Sequence, residues 1–317
     1  SLKKIMLPYA EDVTLSVQLL SFTCGGFSVV WATNNLVCDG QAFTMFVRRW
    51  SELARTGRIV DGPPNHDRSV FSPRRPPSYG ASIRDMFATY DHDRLVNVLT
   101  AHDSFVERLY YIEASDIAAL REAASSKLQR PSRVQAVSAY LWKALARVVA
   151  ASRVPEERCC MGWMVDARRR VKAPELVRAM GNYFGNVTAY ALGEAAVEEI
   201  QEKELSEVAA MVRETITSID YDEYTQELVD WVEEHKTERV FASFPLDTDF
   251  GFGHAVLAMP MCDYGRLSSG YLSIGARPGG DGSWLVNAYI WPRLAAALES
   301  DQQRIFKPLT AEYLGLV

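Results

Sequence analysis

Histidine and cysteine are scarce in this 317-residue chain, which has five of each, and 40 acidic residues against 34 Lys and Arg give it a formal net charge of -6. A nucleic-acid-binding protein normally presents a basic surface that neutralises phosphates, so the acidic balance argues against that class. The cysteines are odd in number and show no paired metal-ligand spacing, so the sequence indicates neither a disulfide framework nor a metal site. We expect reduced thiols and a cytoplasmic location.

Long apolar runs and cofactor-binding motifs are missing as well. No stretch of about twenty apolar residues is present, so the sequence predicts no bilayer span. Pro8 and the acidic residues after it end the apolar patch at the amino terminus before the core of a signal peptide can form. Because neither a phosphate-binding glycine loop nor a dinucleotide fingerprint occurs, we predict no bound cofactor.

The residues that are present are typical of a globular protein. With 48% hydrophobic and 23% charged residues, the chain is long enough for two modest domains. Strand and helix patterns follow one another without strict alternation, which favours an α+β fold with mixed sheets flanked by helices over a doubly wound sheet.

Residues 27–40 are predicted to form a strand, a tight turn and the start of a helix. Phe27, Val29 and Trp31 alternate with smaller or polar residues, which is the period of a strand. The Asp39-Gly40 pair marks a turn, and apolar residues then recur on one helix face at positions 43, 46, 47, 50, 53 and 54. A polar turn between two rigid elements is a favourable place for reactive groups.

Elsewhere, alternation around Cys24-Gly25-Gly26 predicts a hairpin over residues 12–34, and a proline-rich run between 62 and 80 predicts a linker or long crossover. Ser115-Asp116 and Ser132 are predicted to cap two helices. The remaining predicted elements are strands over 159–165, 241–245, 271–274 and 284–290, a long surface helix over 194–218, a short helix around 224–231, and a turn at 279–282.

Four short motifs, in this order, resemble the plant BAHD acyltransferases. That family has a histidine, three residues and then Asp-Gly between a strand and a helix, and this chain keeps the spacing with Asn35 at the histidine position. The fourth motif has phenylalanine where the family has tryptophan. The later motifs are Asp166-Ala167-Arg168, Tyr183-Phe184-Gly185-Asn186, and the run of Asp249, Phe250, Gly251, Phe252 and Gly253.

The resemblance covers essentially the whole chain and implies a two-domain architecture like that of chloramphenicol acetyltransferase, with the first domain incomplete. Residues 1–60 would be the remnant of the first domain with the motif loop, 61–104 the crossover, and 105–317 the second domain. Part of the segment after 253 is a candidate to return to the first domain. Since relatives carry more chain before this point, we expect an amino-terminally shortened protein whose uncovered sheet associates with the missing segment or with itself.

The implied reaction is transfer of an acyl group, other than an aminoacyl group, from a coenzyme A thioester to a small alcohol or amine of plant secondary metabolism. The coenzyme A thioester is a co-substrate. The family's histidine removes a proton from the acceptor, whereas Asn35 does not titrate, so a general-base contribution of roughly 10²–10⁴-fold would be lost. Two interpretations stay open: a residual or altered acyltransferase, and a silent relative that binds acyl-CoA, a plant metabolite or a partner protein.

The resemblance also implies roles for other residues. Asp39 would pair with Arg168 and hold the motif loop, and the run at 249–253 would shape the coenzyme side of the channel in a mainly structural way. His254 is a candidate replacement base, although a surface histidine is far commoner. Cys38 is interpreted as a small buried residue rather than a nucleophile, and the basic run at 168–172 is either a site for coenzyme phosphates or a solvated loop.

Overall fold

The computed structural model describes residues 13–33, 37–86, 106–127, 129–152, 157–235 and 270–316. The strands in these ranges are β1 (Leu15–Ser21), β2 (Phe27–Thr33), β3 (Val106–Ile112), β4 (Arg158–Asp166), β5 (Thr188–Ala196), β6 (Tyr271–Ala276), β7 (Trp284–Ile290) and β8 (Lys307–Pro308). The helices are α1 (Gly40–Thr56), α2 (Ala81–Met86), α3 (Ala114–Ala123), α4 (Arg133–Ala150), α5 (Pro174–Met180), α6 (Val197–Glu202), α7 (Leu205–Thr217), α8 (Tyr221–Glu234) and α9 (Pro292–Ser300).

An antiparallel sheet in the order β6-β7-β3-β8 forms the largest layer. All seven residues of β7 are buried, as expected for a central strand covered on both faces. Helices α3, α4 and α9 lie beside this sheet, and their apolar stripes fill one continuous core with it. The largest fully buried side chains of this core include Trp142, Tyr110, Phe306, Ile112, Ile290 and Leu298.

Strands β4 and β5, which are connected through α5, form a separate two-stranded antiparallel sheet that packs against α4, α6, α7 and α8. Trp163 lies at its centre, with its ring edge-on to Trp142 at a centroid distance of 5.7 Å. The Trp163 indole N–H donates to the Ser138 hydroxyl at 2.9 Å, so the polar atom of this buried side chain is paired. The buried residues of this β4–β5 sheet belong to the main core.

Strands β1 and β2 form an antiparallel hairpin with Leu15 opposite Thr33, which confirms the hairpin predicted for residues 12–34. Helix α1 follows as predicted, with Asp39 as its N-cap. Gly57 ends it in the left-handed conformation, at φ 71°, where its N–H donates to the Leu53 carbonyl. A residue with a Cβ atom would be strained at that φ, so the glycine fixes where α1 stops.

The proline-rich segment holds no helix or named strand over residues 57–80, as predicted, apart from a bridge between Asn65 and Tyr183. Its main anchor is Asp230 of α8, which is fully buried. The Asp230 carboxylate accepts hydrogen bonds from Arg74 Nε at 2.5 Å and from the backbone N–H groups of Arg74 and Ser78. The crossover is therefore tied to the main core.

The prediction of one long helix over 194–218 is wrong, because residues up to Ala196 belong to β5 and the helical part breaks at Glu204, which caps α7. Lys143 of α4 favours this break, because its ammonium group donates to the carbonyls of Ile200 and Gln201 at the end of α6. The strand predicted at 241–245 lies outside the described residues.

The predicted cap at Ser115-Asp116 is also wrong, because α3 begins at Ala114, with Glu113, two residues before Ser115, as its N-cap. Lys307 donates to the carboxylates of both Glu113 and Asp116, which holds the two acidic groups away from a capping position. The cap at Ser132 is confirmed, and it forms a reciprocal capping box with Gln135.

The predicted α+β class is confirmed by the order and packing of these elements. None of the helices within the described ranges combines the length and the apolar composition needed to cross a bilayer.

Candidate active site

The structure describes part of the predicted site. Asp39, Arg168 and the run at 183–186 lie within the described residues and come together. Asn35, His254 and the run at 249–253 lie outside them. The geometry of the site is therefore built outward from Asp39.

The Asp39 carboxylate joins the start of α1 to the start of β5. Its side chain is 1% exposed, and its Oδ1 accepts a 2.8 Å hydrogen bond from the Ala42 N–H in the first turn of α1. Its Oδ2 accepts from the Val187 N–H at 2.8 Å and from the Thr188 hydroxyl at 3.4 Å. One side chain thus satisfies donors from two elements that lie about 150 residues apart in sequence.

Arg168 binds the same carboxylate through both ends of its guanidinium group. Its Nη1 lies 2.8 Å from Asp39 Oδ2 and its Nη2 lies 3.2 Å from Asp39 Oδ1, the two-pronged geometry that planar guanidinium groups favour. Nη1 also donates to Asp166 at 3.0 Å. Burial lowers the pKa of Arg168, but the carboxylates of Asp39 and Asp166 outweigh it and raise the pKa above its usual value.

Gly185 closes the network from the third motif. Its carbonyl accepts a 2.7 Å hydrogen bond from Arg168 Nη2 and a longer one, 3.4 Å, from the Asp39 N–H. A Cβ atom at position 185 would lie 2.6 Å from the ring of Tyr183, so glycine permits the close approach of this backbone. A side chain at position 185 would clash with Tyr183, which explains why the motif has glycine there.

The contacts of Asp39 define what it can do chemically. Both of its oxygens accept hydrogen bonds, and one guanidinium group neutralises its charge. A carboxylate that is 1% exposed and whose two oxygens are both occupied positions backbone segments and leaves no oxygen free to contact a substrate. Asp39 thus fixes the end of the loop that precedes α1.

Cys38, next to Asp39, is not prepared for nucleophilic chemistry. Its side chain is buried, and burial, with a smaller contribution from the Asp39 charge, raises the pKa of the thiol to about 11. Since the thiolate is the reactive form, almost none is present at neutral pH. This geometry supports its interpretation as a small buried residue.

Histidines do not join the Asp39 network in the part of the chain that the structure describes. His66 contacts the Phe184 ring edge-on at 5.5 Å, and His235 stacks on Trp231 at 4.3 Å. The described residues also contain no group of three His, Cys, Asp or Glu side chains suited to hold a metal ion. His92 and His102 lie outside the described ranges.

The basic run at 168–172 is divided between two environments. Arg168 is engaged in the buried pair, whereas Arg169 and Arg170 are exposed. A cavity of about 250 Å³ lies beside Arg168 and Arg169, between α1 and α5. The backbone N–H of Lys172 donates to Asp222 instead of lining this cavity.

Several supporting contacts carry no signal in the sequence. Arg49 of α1 donates to the Asn182 side chain at 2.7 Å, and Asn65 donates to the Ala179 carbonyl at 2.9 Å. Both contacts join segments more than 100 residues apart, and no local pattern marks them. They fix α1 and the crossover to the segment that carries the third motif.

Comparison with known proteins gives this geometry a family context. The sequence profile of the Transferase family matches residues 3–301. Putrescine hydroxycinnamoyltransferase 3 of Oryza sativa subsp. japonica is 30% identical over 216 residues, which is 66% of this chain and 47% of that protein. Anthranilate N-benzoyltransferase protein 1 of Dianthus caryophyllus is 28% identical over 242 residues, 73% of this chain and 53% of that protein. The chain spans about half the length of the curated relatives it matches.

Solved structures show the same fold. F. sporotrichioides TRI101, complexed with coenzyme A and T-2, superposes with a TM-score of 0.68 at 16% identity over 95% of this chain and 72% of that one. Vinorine synthase superposes with a TM-score of 0.64 at 21% identity over 98% of this chain and 68% of that one. At these identities the likeness concerns the fold alone.

Proposed function

The chain belongs to the Transferase family, the acyl-CoA-dependent BAHD acyltransferases, and we propose that it transfers an acyl group from coenzyme A to a small amine. The observation that carries the proposal is the buried Asp39–Arg168 pair. Three of the four motifs meet at this pair, and Asp39 lies four residues after Asn35, the position of the family's base. The loop end next to that position is therefore held rigidly.

An amine acceptor fits the asparagine better than an alcohol does. An alcohol must lose its proton as it attacks, and Asn35 has no group that accepts one. An aromatic amine is uncharged at neutral pH and attacks with its lone pair before it loses a proton. Two of the relatives, the Oryza sativa and Dianthus caryophyllus proteins, are named for acyl transfer to the amine putrescine and to the nitrogen of anthranilate.

The proposed reaction balances without a titrating residue at position 35. The amine nitrogen attacks the thioester carbonyl carbon, and the C–S bond breaks as coenzyme A leaves as the thiolate. The positively charged nitrogen then passes its proton to water or to the departing thiolate. The products are an amide and free coenzyme A. Asn35 orients the amine through its side-chain carbonyl in this scheme.

We also propose the domain division given by the sequence, with a first unit over 1–60 and a second over 105–317. The main core cluster supports it, because among the described residues its buried members run from Ile83 to Phe306 and none comes from the β1–β2 hairpin or α1.

The test is release of free thiol from an acyl-CoA in the presence of an aromatic amine or an aliphatic alcohol. We expect turnover with the amine and little with the alcohol. The Asn35→His variant should raise the rate with the alcohol by roughly 10²-fold or more, because it restores a general base. Asn34→His is the matched control, since it places the same side chain one residue away, and it should leave both rates unchanged.

A second candidate function, a catalytically silent protein that binds acyl-CoA, is favoured by Asn35 alone. Binding of an acyl-CoA without turnover of any acceptor, with turnover restored by Asn35→His, would replace our proposal by this one. Absence of both binding and turnover, in the parent and in the variant, would overturn both.

A further inference from the structure

Helix α1 is tied to the third motif and to the residue before it at two points along its length. At its start, Asp39 reaches the Gly185 carbonyl through its own N–H and through Arg168. Ten residues later, Arg49 Nη2 donates to the Asn182 side-chain oxygen at 2.7 Å. At 1.5 Å per residue, the two ties lie roughly 15 Å apart along the helix axis.

The second tie, the Arg49–Asn182 contact, also includes the crossover. Asn182 Nδ2 donates to the Asp61 carbonyl at 2.9 Å, and Arg49 Nη2 reaches the same carbonyl at 3.4 Å. The Asn65 N–H donates to the Asn182 carbonyl at 2.7 Å, and the Asn65 carbonyl accepts from the Phe184 N–H at 2.8 Å. Asn182 is thus held through its backbone and its side chain, which makes it a fixed acceptor for Arg49.

Arg49 is poorly explained by stability alone. It is 5% exposed, and among the described residues its Nε and Nη1 have no hydrogen-bond partner. Its Nη2 contacts an amide and a backbone carbonyl rather than a carboxylate. Burying a guanidinium group without a counter-charge costs free energy, and an apolar side chain of similar size is often at least as stable in such a place. What the arginine supplies is a directed hydrogen bond.

The apolar contact between the two ties does not set a direction. Phe46 of α1 lies edge-on to Phe184 of the third motif, with ring centroids 6.4 Å apart. Apolar attraction is non-directional, so this contact allows α1 to turn about the tie at Asp39. A hydrogen bond far from that point opposes the turn.

We propose that Arg49 is a positioning residue of the candidate active site, which acts through Asn182 to fix the direction of α1 and of the loop end at Asp39. A displacement of about 1 Å that originates far from the reacting atoms can lower a rate by roughly 10²-fold. The effect of Arg49 on turnover rests on the proposed acyl transfer, whereas its effect on the direction of α1 does not.

The first measurement is alkylation of Cys38, next to Asp39, by iodoacetamide, followed by mass mapping of peptides. Cys159 of β4 is the internal control, because both thiols are buried and burial raises the pKa of each to about 11. We expect Arg49→Met to speed alkylation of Cys38 about tenfold or more, the factor for loss of a hydrogen bond to a charged group. The rate at Cys159 should not change.

Arg48→Met is the matched control, because Arg48 lies on the same helix but forms an exposed ion pair with the Asp61 carboxylate. It should leave the alkylation rates of both cysteines unchanged. Asn182→Ala removes the other partner of the second tie and should repeat the effect of Arg49→Met. The double variant should add nothing further, since one shared contact is lost in each case.

The second measurement is thiol release from an acyl-CoA with an aromatic amine. We expect Arg49→Met to lower kcat about tenfold or more, while circular dichroism and the Cys159 rate show an unchanged folded fraction. The KM for the acyl-CoA should stay the same, because the change concerns the orientation of α1 rather than a contact with the coenzyme. Arg49→Lys, which keeps a charged donor at this position, should recover part of kcat and of the protection of Cys38.

Three results would overturn the proposal: an unchanged Cys38 rate in Arg49→Met, equal acceleration at Cys38 and Cys159, and an unchanged kcat in a variant of an active parent. The second of these would show a general loss of stability. A parent without turnover, in which Arg49→Met still exposes Cys38 alone, would support the second tie and count against the proposed acyl transfer.

Discussion

The two-stranded antiparallel sheets β1–β2 and β4–β5 have similar pairing but different surroundings. Each places a tryptophan at its centre, Trp31 on β2 and Trp163 on β4. In β4–β5 every second residue tends to be buried against helices, whereas no residue of β1 or β2 is fully buried. Alternation along a strand shows which of its faces is apolar, whereas the neighbouring elements decide whether that face is covered.

Asp39 joins the start of α1, which follows the β1–β2 hairpin, to the start of β5 in the main core. Removing its side chain should therefore have the largest effect on stability. We expect Asp39→Ala to reduce the free energy of unfolding by about 3–5 kcal/mol, because it leaves Arg168 buried without its main partner. The lost cap of α1 adds about 1 kcal/mol. Urea unfolding measures the sum, and limited proteolysis should show cleavage in α1 before α4.

The control for this prediction is Asp61→Ala. Asp61 pairs with Arg48 in an exposed ion pair, and such pairs contribute up to about 1 kcal/mol. If Asp39→Ala unfolded at the same urea concentration as the parent, the pair would not hold the two regions together.

The next expected effect compares a buried residue of the β4–β5 sheet with an exposed residue of the β1–β2 hairpin. Trp163→Ala removes a buried ring and leaves the Ser138 hydroxyl without its donor, so it should cost about 3–5 kcal/mol. Leu19→Ala on β1 should cost within about 0.5 kcal/mol, because Leu19 is 67% exposed. Thermal or urea unfolding of both variants gives the comparison, and equal losses would contradict the assigned difference in burial.

The smallest expected effect concerns the contact that ties the proline-rich crossover to Asp230 of α8 in the main core. Asp230→Asn removes the charge that Arg74 and Ser78 contact, and it should cost about 1–3 kcal/mol near neutral pH. Glu223→Gln removes the exposed second partner of Arg74 and should cost less than about 1 kcal/mol.

The same aspartate predicts a pH dependence. Burial raises the pKa of Asp230, but hydrogen bonds from Arg74 and Ser78 outweigh it and lower the pKa to about 2 from an ordinary 3.8. A lowered pKa stabilises the folded state fully above 3.8, and this stabilisation is lost as the pH falls toward 2. The urea midpoint of the parent should therefore fall further between pH 4 and pH 2 than that of Asp230→Asn.

Local patterns predicted much of the fold because they report on local geometry. The hairpin at residues 12–34, helix α1, the cap at Ser132 and the strands at β4, β6 and β7 all follow from side-chain periodicity or capping. Prediction failed at residues 194–218, where a strand runs directly into two short helices. The charges there indicated an exposed helix, but contacts with α4 determine where strand and helix end.

The candidate site was predicted less completely. The resemblance named Asp39 and Arg168, yet it did not predict the roles of Gly185, Val187 or Asn182. These groups bind through backbone atoms or through side chains of another element, so residue type alone does not reveal them. Asn35 and the run at 249–253 remain predictions, because they lie outside the described residues.

Residue patterns along the chain were enough to predict most of the local elements, the order of the four motifs, the family and the asparagine where the family has histidine. Only the packing of the elements shows that the Asp39 carboxylate also binds the Val187 N–H and the Thr188 hydroxyl, and that Leu19 and Phe27 of the β1–β2 hairpin are exposed. This difference follows from the separation along the chain of the residues that interact. Periodicity and capping act between residues two to four positions apart, whereas the contacts of Asp39 join groups about 130 to 150 residues apart and form only when the elements pack.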